Sequence, residues 1–219
     1  ALDVNLYSVC RKAFRGGDAH ANYLWSNQVV KNVKSKDMTS AYPFVMMTEN
    51  FPSSKWYPTT MDKMARINRK HTTIVWISLL KLTDVEVGYG ENPYISLSKC
   101  VSVKEPTLDN GRIHACKELA IYVTNLDWEI IKWCYNYSHA YFANTLMSRS
   151  KPMPEFIKAG LMDYYRPKTA LKNVEGSEYE YSKSKNSLNA GYGMAVTDIA
   201  KDEYLYSELG EYIIDEKSD

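Results

Sequence analysis

The chain has 219 residues, 45% of them hydrophobic, and a formal net charge of +1. This size and apolar content are enough for a buried core in one or two domains. The near-zero total charge neither supports nor excludes nucleic acid as a ligand, because local cationic clusters can bind phosphates while the total balances. No apolar run reaches the roughly 20 residues that cross a bilayer, so a membrane protein is not expected.

Cysteine spacing bears on metal binding and on the cellular compartment. The four cysteines do not form a CxxC pair, and the four histidines are equally dispersed along the chain. A structural zinc site is therefore not expected, and reduced thiols in the cytoplasm are the default interpretation.

The first half of the chain is predicted to form one helix and three strands. Residues 28–33 suggest a short strand that runs into Asp37, and Ala41 to Met47 has the apolar spacing of a helix. The apolar run from Thr72 to Leu80 predicts a buried strand, and Tyr94 to Leu97 predicts another strand after a turn. A sheet is the expected outcome.

The second half of the chain adds one strand and three helices. Leu119 to Val123 is a strand candidate, and Thr124 to Asp127 resembles a capping box that opens a helix from Trp128 to Tyr137. Further helices are predicted from Glu155 to Tyr165 and from Ser177 to Tyr192.

The sequence DMTSAYP, residues 37–43, groups a carboxylate, a tight turn and an aromatic side chain. Asp37 can hold a hard divalent cation, and backbone N–H groups of the turn can meet phosphate oxygens. Tyr42 would then flank a sugar. From the residues alone, an aspartate with a structural role at a strand end remains the alternative.

The sequence KNSLNAGYG, residues 185–193, lies within the last predicted helix. Helical geometry puts Lys185 and Asn189 on one face, so an ammonium and an amide can address the same nucleotide. Tyr192 lies one turn further along that face. A solvated helix end followed by a glycine cap is the alternative.

These two segments resemble motifs of the family B DNA polymerases. DMTSAYP resembles motif A, DxxSxYP, and KNSLNAGYG is similar to motif B, KxxxNSxYG, with Ala190 where serine is usual. The spacing between them is compatible with the protein-primed branch of that family. The sequence FRGG, residues 14–17, is similar to the YxGG segment that joins the exonuclease and polymerase portions, with Phe14 in place of tyrosine.

The resemblance implies a role for each matching residue. Asp37 would be the catalytic carboxylate and, with the backbone of Met38, would hold Mg²⁺, for which Mn²⁺ can substitute. The nucleotide would be bound by Thr39, Ser40, Ala41, Tyr42, Lys168, Lys172, Lys185, Asn189 and Tyr192. The DNA would be contacted by Arg15, Gly16, Gly17, Gly191 and Gly193. For Lys168 and Lys172, an exposed basic loop is the alternative.

One catalytic element of the family is missing from the sequence. Two-metal phosphoryl transfer requires a second carboxylate holder, and the segment after motif B contains no Asp-x-Asp pair like that of motif C. We therefore expect a central polymerase fragment that is inactive alone and needs motif C from further sequence or from a second chain. The alternatives are a polymerase-derived nucleic-acid-binding or assembly subunit that has lost catalysis, and an unrelated α+β protein.

Asp84-Val85-Glu86 matches the Asp-x-Glu pattern of a proofreading exonuclease. It lies between the two polymerase motifs instead of before them, so exposed acids in a loop are the simpler interpretation.

The implied fold is an incomplete α+β right-hand polymerase, with an antiparallel palm sheet and helical fingers. The expected boundaries are 1–28 for the YxGG-like linker, 29–150 for the palm with an inserted subdomain like the terminal-protein region, 151–196 for the fingers with motif B, and 197–219 for a return to the palm that is truncated before motif C.

Primer-template DNA and a deoxynucleoside triphosphate are the expected partners, with a terminal protein primer as a further one. A phage-infected bacterial cytoplasm or an organellar plasmid would fit as the source.

Overall fold

The computed structural model describes residues 3–21, 25, 27–68, 74–197, 203–206 and 212–215. The chain divides into two compact units, one of residues 1–37 and 50–152 and the other of residues 38–49 and 153–219. Helices and antiparallel strands are both present, which confirms the predicted α+β class. Among the described residues, no helix combines the length and the apolarity that a membrane span requires.

The first unit is built on an eight-stranded antiparallel sheet. Its central order is β1-β8-β3-β6-β4, while β2 pairs with β8, β5 with β6 and β7 with β3. Its elements are α1 (Val4–Ala13), β1 (Asn50–Pro52), β2 (Tyr57–Thr59), α3 (Met61–Asn68), β3 (Ile74–Val87), a 3₁₀ turn (Leu97–Lys99), β4 (Cys100–Lys104), β5 (Thr107–Asp109), β6 (Arg112–Thr124), α4 (Asn125–Cys134), β7 (Tyr135–Asn136) and β8 (His139–Pro152).

Strand β3 is the centre of this sheet because it pairs with β6 on one side and β8 on the other. A strand covered on both edges and rich in isoleucine, valine and leucine reads as a nearly continuous apolar run. The predicted strand is confirmed from Ile74 onward; Thr72 and Thr73 lie outside the described residues. The loop expected at Asp84–Glu86 is wrong, because β3 continues to Val87 with Asp84 in a left-handed conformation at φ 49°. Both acids are exposed.

The apolar core of the first unit lies between the sheet and its helices. Leu80, Ile113, Val123 and Ile131 have no solvent-exposed surface. Further members of the same cluster are Met64, Trp76, Leu82, Val85, Val87, Ile95, Cys116, Leu119, Ile121 and Tyr135. All four cysteines are free thiols, and burial raises the pKa of Cys100 and of Cys116 to about 11.

The capping box before α4 is present as predicted. The Thr124 hydroxyl accepts from the Asp127 backbone N–H at 3.3 Å, and the Asp127 carboxylate accepts from the Thr124 backbone N–H at 2.7 Å. That carboxylate is only 4% exposed, and it also accepts from the Tyr94 hydroxyl and lies 3.8 Å from the Arg15 guanidinium. Burial, and then the hydrogen bond to Asp127, raise the pKa of Tyr94. Asp127 therefore joins three segments of the first unit.

The predicted helix after the capping box ends earlier than expected. It stops at Cys134, since Tyr135 adopts an extended conformation and starts β7. The Tyr135 hydroxyl donates to the Ile113 carbonyl and accepts from the Ile95 backbone N–H, both at 2.9 Å. Tyr135 is thus anchored in the core instead of extending the helix.

The predicted strand from Tyr94 to Leu97 forms only in part. Ile95 is 1% exposed, its carbonyl accepts from the Ile113 backbone N–H at 2.8 Å, and the Leu97 backbone N–H donates to the Gly111 carbonyl at 3.0 Å. These bonds flank a single bridge between Ser96 and Arg112, while the Ile95 backbone N–H is bonded to the Tyr135 hydroxyl. The apolar pattern therefore predicted the burial and the pairing, but a longer strand than the one that forms.

The predicted strand over residues 28–33 is also wrong. Residues 29–38 have no regular secondary structure, and Val29 and Val33 are 93% and 74% exposed. A strand is stable only when its backbone groups pair, and no partner strand for this segment is found in the described part of the chain.

The second unit is mainly helical. It contains α2 (Ala41–Thr48), α5 (Glu155–Ala170), α6 (Glu178–Val196), and a hairpin of β9 (Glu203–Tyr206) and β10 (Tyr212–Asp215). The helices predicted to begin at Ala41, at Glu155 and near Ser177 are confirmed. Helix α5 runs five residues past Tyr165, through Pro167, because proline fixes a helical φ and its missing N–H affects only one bond near the helix end.

The Asp127 network gives a stability prediction. Asp127→Ala removes a helix cap and a buried acceptor, so the free energy of unfolding should fall by about 3 kcal/mol. The matched control is Glu129→Ala on the same helix, whose exposed pair with Lys132 should be worth under about 0.5 kcal/mol. Urea unfolding of both variants measures the difference. Equal losses would mean that Asp127 does not join these segments.

Candidate functional site

The turn before α2 holds one residue in an uncommon backbone conformation. Ser40 is the N-cap of α2 and has φ 54° and ψ 48°, in the left-handed region. Its carbonyl accepts from the Phe44 backbone N–H at 2.9 Å, which starts the helix. A non-glycine residue in such a conformation costs on the order of 1–3 kcal/mol, and strained residues of this kind cluster at functional sites. The Ser40 side chain does not cap the helix, so its hydroxyl can bond elsewhere.

That hydroxyl is bonded to a lysine of α5. The Lys168 ammonium donates to the Ser40 Oγ, although the two residues are 128 positions apart. Lys168 lies in the last turn of α5, where the helix dipole favours a cation. Lys172 lies beyond the end of α5 and is exposed. Of the two predicted phosphate ligands, the structure therefore brings Lys168 to the motif A turn.

Two tyrosines predicted to bind the nucleotide stack on each other. The rings of Tyr42 and Tyr192 have centroids 3.9 Å apart and an interplanar angle of 14°. Burial, followed by the nearby Tyr42, raises the pKa of Tyr192. A stacked aromatic pair contributes about 0.5–1.5 kcal/mol beyond the area it buries. The stack links α2 to α6, and so links the two sequence motifs.

The remaining predicted nucleotide ligands lie on the solvent side of α6. Lys185 and Asn189 are both exposed, while Leu188 between them is 1% exposed and faces the helical packing. Four-residue spacing keeps Lys185 and Asn189 on one face, as the sequence predicts. A Cβ at Gly191 would meet the Leu161 Cδ2 at 3.7 Å, so Gly191 faces α5, whereas a Cβ at Gly193 would meet nothing within 4 Å.

An apolar cavity of about 230 Å³ borders the motif A turn. It is lined by Thr39, Ser40, Pro43, Phe44, Met47, Leu161, Met162 and Tyr165. Except for Thr39, Ser40 and Pro43, which belong to motif A, these residues were not singled out in the sequence, where they have the pattern of ordinary core positions. Only the packing of α2 against α5 brings them together, so no local pattern could have identified them.

Asp37 belongs to the first unit and is exposed. No regular secondary structure surrounds it, and Met38 and Thr39 separate it from Ser40 in the chain. Among the described residues, no group of three or more histidine, cysteine, aspartate or glutamate side chains is placed to hold a metal ion.

The predicted DNA ligands Arg15, Gly16 and Gly17 follow α1. The Arg15 guanidinium donates to the Tyr122 carbonyl at 2.7 Å and to the Lys12 carbonyl at 3.2 Å, and its side chain is 19% exposed. Gly16 and Gly17 are exposed, and a Cβ at Gly16 would meet nothing within 4 Å. Arg15 thus fixes the start of this loop, while the two glycines are accessible.

Comparison with known proteins gives a match in structure alone. No protein family and no curated protein matches the chain. Three similar solved structures are of phi29 DNA polymerase, each at 18% sequence identity. The complex with primer-template DNA has a TM-score of 0.69, and the match covers 99% of this chain and 36% of that one. The complex with primer-template DNA and incoming nucleotide substrates has a TM-score of 0.68 with 98% and 36% covered, and the complex with single-stranded DNA has a TM-score of 0.64 with 98% and 35% covered. This chain spans about a third of the length of that polymerase. The predicted polymerase fold is confirmed: the chain has the fold of a DNA polymerase fragment.

Proposed function

We propose that the chain is the nucleotide-binding part of a family B DNA polymerase of the protein-primed branch. It would bind a deoxynucleoside triphosphate, Mg²⁺ and primer-template DNA for nucleotidyl transfer. The observation that carries this proposal is the convergence of motif A with motif B and α5, through the Tyr42–Tyr192 stack and the Lys168–Ser40 hydrogen bond. The sequence motifs and the fold support the same function.

The motif A turn has the properties of a phosphate site. The N–H groups of Ala41 and Tyr42 belong to the first turn of α2, where they have no acceptor within the helix. Helix N-termini bind anions through such groups and through the helix dipole. The Lys168 ammonium, already bonded to Ser40, adds a positive charge beside them. An incoming triphosphate would accept from both, and Lys185 would supply a further cation from α6.

The described residues fit Mg²⁺ only in part. Asp37 and the Met38 carbonyl would supply two oxygen ligands, whereas two-metal transfer needs a second carboxylate. We therefore assign nucleotide binding to this chain and no catalytic step through the metal. Catalysis would follow when a motif C carboxylate pair is supplied by further sequence or by a second chain.

Lys185 should bind phosphate without regard to the base. Lys185→Ala should weaken the binding of all four deoxynucleoside triphosphates by roughly tenfold, since a lost charge-assisted hydrogen bond is worth about 1.5 kcal/mol and a cation on phosphate carries no base information. Isothermal titration calorimetry measures the four dissociation constants. Lys183→Ala is the control. Lys183 is exposed on the same helix, but it lies two positions from Lys185 and therefore on a different face. Equal losses in both variants, or a loss restricted to one base, would contradict the phosphate role.

Tyr42 should act as a steric gate against the ribose 2′-hydroxyl. Its ring is 46% exposed and stacked on Tyr192, so we expect the pair to separate when a sugar enters. Tyr42→Val should reduce the preference for deoxy- over ribonucleotides by roughly 10- to 200-fold, measured as the ratio of the dissociation constants for dCTP and CTP. Tyr42→Phe keeps the ring and should keep the preference. A preference unchanged in Tyr42→Val would show that the ring only packs.

A second candidate function is a nucleic-acid-binding subunit that has lost catalysis. It is favoured by the lack of an Asp-x-Asp pair like that of motif C in residues 194–219. The two candidates differ in metal-dependent nucleotide binding. In the polymerase, dCTP should tighten the binding of Mn²⁺, as measured by electron paramagnetic resonance, and Asp37→Asn should remove this effect while Glu49→Gln retains it. If dCTP leaves Mn²⁺ binding unchanged in the unsubstituted chain while DNA still binds, the second candidate is correct.

A further inference from the structure

Helix α4 has an apolar face that points into solvent. Leu126 is 70%, Ile130 41% and Trp133 77% exposed. Spacings of four and three residues put these side chains in one line along the helix, and we refer to the three of them as the apolar stripe. The outer face of an ordinary surface helix is polar, so α4 departs from that pattern.

The opposite side of α4 packs in the core of the first unit. Ile131 has no exposed surface, and the Trp128 ring lies edge-on to the Phe142 ring with the centroids 5.0 Å apart. The apolar stripe is thus a second apolar face on the same helix. Packing of the chain on itself does not account for it.

The helix that carries the apolar stripe is already ordered. The capping box at Thr124 fixes its first turn. On its surface, the Lys132 ammonium donates to the Glu129 carboxylate at 2.8 Å and lies 5.7 Å from the centroid of the Trp128 ring. A preorganised surface loses less conformational entropy when it binds, so the apolar stripe is suited to association.

The size of the apolar stripe limits the kind of complex it can form. One indole and two aliphatic side chains at these exposures present on the order of 400 Å², which is within the range of the largest apolar patch of a typical monomer. Two such patches face to face would bury about 800 Å², and interfaces of less than about 1,200 Å² belong to weak, reversible complexes. The apolar stripe therefore fits a reversible partner of similar size and shape.

The charges beside the apolar stripe fit a second copy of this chain. A two-fold axis through Ile130 makes the two α4 helices antiparallel, so Leu126 of one copy faces Trp133 of the other. At the helical rise, Glu129 is then about 1.5 Å along the axis from Lys132 of the second copy and about 3 Å from its Glu129. Opposite charges therefore lie level with each other on both flanks of the contact.

We infer that the apolar stripe of α4 binds the apolar stripe of a second copy, in an antiparallel and two-fold symmetric dimer. The formal net charge of +1 leaves little repulsion between two copies. Helix α4 supplies no residue to the proposed nucleotide site, so the dimer depends on neither nucleotide nor metal.

Sedimentation equilibrium of the full chain, without nucleotide, metal or DNA, tests the dimer. The unsubstituted chain should dimerise with a dissociation constant in the micromolar range. Trp133→Gln should raise this constant at least tenfold, because each dimer loses two buried tryptophans. Phe156→Gln is the matched control, since Phe156 of α5 is also 77% exposed but lies outside the apolar stripe. A chain that stays monomeric at every concentration, or equal dimerisation of the two variants, would overturn the inference.

Charge substitutions test the two-fold arrangement. Glu129→Lys sets cations opposite each other and Lys132→Glu sets anions opposite each other, so each variant alone should dimerise roughly tenfold more weakly. An equal mixture of the two variants brings opposite charges together again and should associate as the unsubstituted chain does. A mixture that associates no better than its components would contradict the antiparallel dimer.

A lipid surface is the other occupant that an exposed stripe of this kind can have. Phosphatidylcholine vesicles should not bind the chain. Vesicle binding that Trp133→Gln removes, in a chain that is otherwise monomeric, would assign the apolar stripe to lipid and overturn the dimer. The dissociation constant for dCTP should be the same in Trp133→Gln as in the unsubstituted chain, which separates this test from the proposed function.

Discussion

The constraint on which the rest of this chain depends is the closure of a long insertion. The chain leaves α2 at Glu49 and re-enters the helical unit at Met153, and between these points strands β1 and β8 pair Asn50 with Pro152 and Pro52 with Ser150. Closing a flexible loop of this length costs about 4 kcal/mol. The insertion offsets that cost by folding around its own core, and it continues the closure with a hydrogen bond from the Ser53 backbone N–H to the Arg149 carbonyl at 2.8 Å. Because its two ends are paired, α2 can pack with α5 and α6 despite their separation in the sequence.

The parts of the fold that were predictable are those decided by local chemistry. The capping box at Thr124 depends on side chains within one turn, and the apolar spacing from Ala41 and the prolines before Glu155 are also local signals, so these helix starts were identified from the sequence. The errors concern pairing. Residues 28–33 and Tyr94–Leu97 both have strand-like composition, but the first segment is exposed, and the second forms a single bridge because the Ile95 N–H is bonded to the Tyr135 hydroxyl. Composition indicates that a segment can form a strand, whereas a β-ladder also requires a neighbouring strand in the correct position.

The candidate site shows the same division between local pattern and tertiary contact. The motifs identified Ser40, Tyr42 and Tyr192, but nothing in the sequence indicated that the two rings stack or which lysine reaches the turn. Lys168 and Lys172 have the same side chain and are four positions apart, and only the end of α5 at Ala170 distinguishes them. The aromatic stack and the lysine contact both arise from the packing of three helices. The roles assigned to these residues stay predictions until nucleotide binding is measured.

The left-handed conformation of Ser40 restricts how this position can vary in evolution. Glycine would relieve the strain but would remove the hydroxyl that receives the Lys168 ammonium. Valine, isoleucine and threonine would clash, because β-branched side chains are disfavoured at positive φ. Asparagine and aspartate tolerate the backbone, but an aspartate would place a negative charge where we propose that a triphosphate binds. Serine is thus one of few side chains compatible with both the backbone and an anionic ligand, so drift at this position is limited by two independent requirements.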